Sequence, residues 1–294
     1  MRLRFFNWRR TRDAMALAMA FACSHAADAD PAMWVIRDAD STIYLIGTMH
    51  LLKHETEWNR AKVLAALGES SELWLEIADP TNQAAALPLI QRYGFDPERG
   101  LSKKLNREQQ EKLQKIAGQY HVPMSTLETM RPWLAAMILT ELPLQSAGYD
   151  PNAGLDMTLK IEADKRGEKI IGLETLEEQI RSLADLPERT QIAFLQTTLD
   201  EVSQGLALVE TLAKAWVDGD TRTMDELLVQ DVKRKEPEVY EKLFVRRNVQ
   251  WGEKIAGLLQ RSGVQLIAVG AGHLVGPDSV QTQLAKRGIR VESF

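Results

Sequence analysis

The sequence predicts an α/β fold: a mixed sheet built from N- and C-terminal strands, with a large helical insertion in the middle. Three observations carry that expectation. Short apolar runs bounded by turn formers, such as Tyr44-Leu45-Ile46 and Leu266-Ile267-Ala268-Val269, crowd the two ends and read as buried strands. Between residues 81 and 186 apolar positions recur mostly at helical spacing. A run near each end also leads into the same phrase, Gly47-Thr48-Met49-His50 and Gly270-Ala271-Gly272-His273. Glycine there lets the chain turn sharply off a strand, and strand-to-loop junctions are where open α/β sheets hold ligands. Two of the five histidines stand at such junctions, so folding is expected to bring the two imidazoles together.

In chain order, residues 1–27 read as an export signal. Arg2, Arg4, Arg9, Arg10 and Arg12 precede a short run of small apolar residues, 14–22, too short to span a bilayer. Cleavage is expected after Ala26 or Ala27. Ala20-Phe21-Ala22-Cys23 also resembles a bacterial lipobox, which would tether the chain to a membrane through a lipidated Cys23. Cys23 is the only cysteine, so no internal disulfide forms and the core must hold the fold by itself.

Residues 28–294 read as a single α/β domain, with no Pro/Gly/Ser-rich linker. Residues 33–37 and 42–46 form a hairpin around Asp38-Ala39-Asp40-Ser41. A helix at 59–67 and a strand at 72–77 follow, the latter stopped by Asp79-Pro80. Asn106 with Gln109, and Ser125 with Glu128, have capping-box spacing. Pro132 suits the first turn of a helix at 133–146, in which Pro143 predicts a kink or an early end. A helix at 154–166 is closed by Gly167. Then come a strand at 169–173, a helix from Thr175, and one long helix or two broken near Gly205 over 187–217. Helices at 221–229 and 237–260 lead to the strand of the second Gly-x-x-His. A helix at 277–286, closed by Gly288, and a strand at 289–294 finish the chain.

The 294 residues are 45% hydrophobic and 26% charged, with net charge −5. That is ordinary globular material with no basic face of the density a nucleic acid would need. No second long apolar run exists to make a multi-spanning membrane protein.

Four predicted strands end in a polar group: His50, Glu76, Glu174 and His273. Two imidazoles and two carboxylates suit a divalent metal, Mn, Co, Zn or Fe, without selecting sharply among them, with Mn, Co or Zn the expectation. One glutamate is alternatively a general base. Glu76 in an apolar strand needs a partner if buried. Glu174 has a plainer explanation as part of an acidic helix start, as has Asp156. Of Arg246 and Arg247, the first reads as solvated; the second is the candidate to bind a carboxylate or an oxyanion. His54 is four residues from His50, but Leu51 stands where the His-Glu-x-x-His motif requires Glu, so His54 reads as incidental. His121 reads as a surface residue. No phosphate loop, nucleophile elbow or catalytic cysteine is present in residues 28–294.

Together these stretches resemble the TraB/PrgY/GumN family, which includes the animal Tiki proteins. The resemblance rests on residues 44–51, Leu75-Glu76, Gly154-Leu155-Asp156, Gly172-Leu173-Glu174-Thr175 with Glu178-Gln179, Arg247-Asn248, and 269–276 with its Gly270-Ala271-Gly272-His273. It implies a fold related to the erythromycin-esterase and ChaN-like proteins, with the two Gly-x-x-His units side by side. It also implies metal-dependent peptide hydrolysis: His50 and His273 binding metal, Glu76 and Glu174 as ligands or base, and Arg247 stabilising charge. The expectation is therefore an exported metal-dependent hydrolase, first of all a peptidase, periplasmic or lipid-anchored, with a peptide or protein substrate. The alternative is a non-catalytic protein that binds a peptide, haem or metal in the same cleft.

Overall fold

The hairpin forms as expected in the computed structural model, which describes residues 30–202 and 204–294. β1 (Met33–Arg37) and β2 (Ser41–Thr48) pair antiparallel, and the Asp38 carboxylate closes the turn by accepting from the N–H groups of Asp40 and Ser41. The export signal and Cys23 lie outside the described residues.

After α1 (Arg60–Glu69) the chain enters β3 (Glu72–Leu75) and then the helical middle. That middle comprises α2 (Gln83–Gly94), α3 (Arg107–Gln119), α4 (Met124–Glu128), α5 (Pro132–Ser146) and α6 (Leu155–Arg166). β4 (Lys169–Gly172) interrupts it before α7 (Leu176–Ala184), α8 (Glu188–Glu201) and α9 (Gly205–Val217), so 187–217 is two helices. The expected helix at 221–229 runs further: α10 (Thr221–Met224) continues through a π turn, Asp225–Gln230, into α11 (Asp231–Lys235). A second π turn, Glu241–Val245, joins α12 (Pro237–Tyr240) to α13 (Arg246–Leu258). β5 (Gly263–Gly270), α14 (Val280–Ala285) and β6 (Glu292–Ser293) complete the fold.

Several local expectations are corrected. The Asn106 capping box forms, but Ser125 caps nothing: α4 starts a residue earlier, and Glu128 accepts instead from the Ser102 N–H and hydroxyl. Pro143 does not end α5; it sits in the last turn, where little ladder remains to be lost. The last helix starts at Val280 because Ser279, accepting from the Thr282 N–H, is its cap.

The six strands lie in the order β4-β3-β5-β2-β1-β6. β4, β3, β5 and β2 are mutually parallel; β1 adds antiparallel to β2, and β6 lies outermost, antiparallel to β1. Alternation along the strands divides the core. Tyr44, Ile46, Leu73, Leu75, Leu266 and Ala268 pack with α1, α6 and α9, while Ile43, Leu45, Ile267 and Val269 pack with α13 and α14. A third apolar cluster lies wholly among helices, chiefly α3, α5 and α8. Among the described residues no helix is long and apolar enough to cross a membrane.

Candidate active site

Four adjacent parallel strands must finish on the same edge of the sheet, and each is followed there by one of the polar residues singled out in the sequence. β2 leads to His50, β5 to His273, β3 to Glu76 and β4 to Glu174. The ladder continues past the last two strands, with Leu173 and Glu174 N–H donating to the carbonyls of Leu75 and Glu76 at 2.8 and 2.9 Å. Neither Gly47 nor Gly270 has positive φ, so sharp turning is not what they provide. They provide room. A Cβ on Gly47 would lie 3.0 Å from Ala271 Cα, and one on Gly270 would lie 3.1 Å from both Glu76 Oε1 and His50 Nε2.

Arg247, on the first turn of α13, ties the edge together. Its Nη2 donates to Glu76 Oε2 and Glu174 Oε1, both at 2.6 Å, and its Nε to Glu174 at 3.0–3.1 Å. Nη1 donates to His273 Nε2 at 3.1 Å and to the carbonyl of Leu243, in the adjoining π turn, at 3.2 Å. The guanidinium also lies over the Trp251 ring, 4.5 Å from its centre. Burial alone would raise the Glu76 pKa, but the Arg247 guanidinium first, with His50 and the Gly270 N–H, holds the carboxyl well below the usual range. Burial pushes the Glu174 carboxyl up, and Arg247 offsets only part of this. Glu174 precedes the Thr175–Glu178 capping box of α7, so the acidic helix start is built without it. Arg246 is exposed beside Glu241.

Glu76 is the meeting point. Its Oε1 accepts from the Gly270 N–H at 2.7 Å, and its Oε2 accepts from Gln179 at 3.0 Å as well as from Arg247. His50 Nε2 and His273 Nε2 stand 3.9 and 3.8 Å from the same Oε1. Arginine only donates, so His273 Nε2 must accept and its proton sits on Nδ1, which meets Asn248 Oδ1 at 2.6 Å. Burial first, then Arg247, pushes the His273 pKa down to about 3. His50 faces solvent, 59% exposed, with Nδ1 2.9 Å from Asp156 Oδ2, and this carboxylate pushes its pKa up to about 9.

Sequence reasoning left Asp156 as a helix-start carboxylate and gave no role to Gln179 or Asn248. The available signal for Asp156 was Gly154, whose Cβ would fall 2.4 Å from the His50 carbonyl oxygen. Only glycine lets this helix start come so close. His54 pairs with Asp150 at the surface, and His121 is exposed at φ 55°.

Among the described residues, no group of three or more His, Cys, Asp or Glu side chains is arranged as it stands to hold a metal ion. The nearest grouping is open: the Nε2 atoms of His50 and His273 face Glu76 Oε1 at 3.9 and 3.8 Å, and a Cβ on Gly270 would lie 3.1 Å from that oxygen and from His50 Nε2. Each ring is also held through Nδ1 by an outer oxygen, as metal-binding imidazoles usually are. His50, His273 and Glu76 would hold an ion only once Arg247 Nη1 released the His273 Nε2 lone pair that it occupies here and His50 gave up its proton, whereas Glu174 gives both oxygens to Arg247. A cavity of about 350 Å³ opens beside Glu174, lined by Ile77, Asp79, Asn82 and Lys254. A larger one, about 720 Å³, lies by β1 and β6 and touches none of the clustered side chains.

The sequence model of the TraB/PrgY/gumN family matches residues 32–293. The protein YbaP of Escherichia coli K12 is 25% identical over 256 residues, 86% of this chain and 92% of YbaP. A Treponema pallidum protein is 21% identical over 267 residues, 86% of this chain and 80% of its own. Metalloprotease TIKI2 of Danio rerio is 28% identical over 197 residues, 56% of this chain and 37% of that protein. No solved structure matches.

Proposed function

This chain belongs to the TraB/PrgY/gumN family, and from that premise we propose that it is an exported hydrolase of peptide bonds, working at the carboxyl edge of its sheet with a divalent metal, Mn, Co or Zn. The observation that supports this best is the convergence of His50 Nε2 and His273 Nε2, at 3.9 and 3.8 Å, on one oxygen of Glu76. The partial likeness to a metalloprotease points the same way. With the Arg247 Nη1 hydrogen bond to His273 Nε2 released and His50 deprotonated, His50, His273 and Glu76 would hold the metal, which would supply Lewis-acid polarisation of a carbonyl and acidify water near neutral pH.

The chain's own residues do the rest. His50 forms the open side of the cluster, so a peptide carbonyl approaches past its ring. Glu174 lines the neighbouring cavity, and its raised pKa suits it to take a proton from the attacking water. That cavity receives a substrate side chain. The five N–H groups of Arg247 are all engaged, so its part is to keep Glu76 ionised and both carboxylates fixed rather than to meet an oxyanion directly. Export rests on the basic, then apolar, start of the sequence.

The test is to incubate the purified protein with a peptide library, with and without Mn, Co or Zn, and to read new termini by mass spectrometry. His50→Ala and His273→Ala are each expected to abolish metal binding and cleavage. Full activity in both variants would sink the proposal, and capture of peptides without new termini would favour a binding protein.

A further inference from the structure

Resting on that reading of the site, we propose that Asp156 is the positioning residue for His50, gripping the ring by Nδ1 so that Nε2 faces Glu76 and Gly270. A carboxylate in the first turn of a helix has an ordinary explanation, favourable interaction with the helix dipole. That explanation does not require it to point at a ring. Asp156 Oδ2 lies 2.9 Å from His50 Nδ1, and the start of α6 is docked onto the loop that carries His50. The Leu155 N–H donates to the Met49 carbonyl at 3.1 Å. A Cβ on Gly154 would fall 2.4 Å from the His50 oxygen and 3.0 Å from that of Met49.

The other histidine supplies an independent observation. Asn248, from an unrelated helix, meets His273 Nδ1 at 2.6 Å, and its amide is oriented by donating Nδ2 to the Asp278 carbonyl at 2.8 Å. Two unrelated segments thus grip the same ring atom, and both rings turn Nε2 toward the same oxygen of Glu76. The need for the grip differs. His273 is wedged against Trp251 and Phe244, with ring centres at 4.4 and 5.2 Å, so packing alone confines it. His50 is open to solvent, and Asp156 is its principal restraint.

Asp156→Asn keeps an oxygen that accepts from Nδ1–H, while Asp156→Ala removes it; both remove the charge. In the metal-free protein the hydrogen-bonded Nδ1 proton of His50 is expected as a protected NMR resonance in wild type and Asp156→Asn, and to be lost in Asp156→Ala. Calorimetric titration with Mn or Zn is expected to show affinity lowered roughly 10–100-fold in Asp156→Ala, with Asp156→Asn much closer to wild type. Retention of the resonance and of wild-type affinity in Asp156→Ala would overturn the proposal. So would equal loss of stability in both variants with the ring signal intact, since that is what a helix-start role predicts. If the wild type binds no metal, the functional reading falls, and the ring resonance still decides whether Asp156 positions His50.

Discussion

The ends of β2 and β5 carry the same Gly-x-x-His spacing, lie side by side in the sheet, and set their histidines against one carboxylate oxygen. The surroundings of the two rings are opposite. His273 is enclosed by Trp251, Phe244 and Arg247 and held neutral beside an amide. His50 is open to water and held charged beside a carboxylate. The shared spacing fixes where each imidazole emerges. What each can do is decided by side chains from α6 and α13, more than a hundred and about twenty-five residues away in sequence.

Arg247 is the strongest source of the asymmetry, because it donates to His273 and to neither nitrogen of His50. Arg247→Ala leaves Glu76 and Glu174 buried without their shared cation and is expected to cost about 3–5 kcal/mol of folding stability. Urea unfolding measures this, and a loss below about 1 kcal/mol would mean that the carboxylates do not depend on it. Next in size is the contrast between the histidines themselves. His273→Ala empties a packed, hydrogen-bonded site and is expected to cost about 3 kcal/mol, whereas His50→Ala, at the surface, should stay within about 1 kcal/mol. Equal losses in the same unfolding experiment would remove the distinction.

The smallest effect is on pH dependence, measured in metal-free protein by unfolding between pH 4 and pH 10. The folded pKa of His50 is raised, but solvent screens the Asp156 charge at a ring this exposed, so its contribution is small; it is fully present below the ordinary histidine value and is lost as pH rises through the raised one. The folded pKa of His273 is depressed. Its contribution is present above the ordinary value and is lost as pH falls toward about 3, where Glu76, also depressed, adds to the decline. Asp156→Ala should flatten the alkaline limb and leave the acid limb in place; a change confined to the acid limb would contradict this pairing.

Most of the sheet was legible because each strand is a short apolar run with clear stops, and the four strand-end residues followed from the same runs. The capping boxes at Asn106 and Thr175 were equally legible, being local. What escaped was non-local. Ser125 has the spacing of a cap, but Glu128 finds better partners at Ser102. The π turns before α11 and α13 follow no periodicity that a 3.6-residue pattern would flag. Asp156 looked like a helix start because its real partner is 106 residues away. The two glycines were noticed, but their reason was misassigned: room for Ala271, Glu76 and His50 takes the place of backbone freedom.

The place of β5 between β3 and β2 has a consequence for assembly. The strand at the centre of the parallel sheet is synthesised after its three parallel neighbours, β2, β3 and β4. Until residues 263–270 arrive, β2 and β3 have no strand between them and each presents an unpaired edge, the kind of surface that invites association with other chains. Closure of the sheet is therefore a late, long-range event, of the sort that makes folding slow. A nascent chain cut before Gly263 would hold His50 and both glutamates without the strand that brings them together.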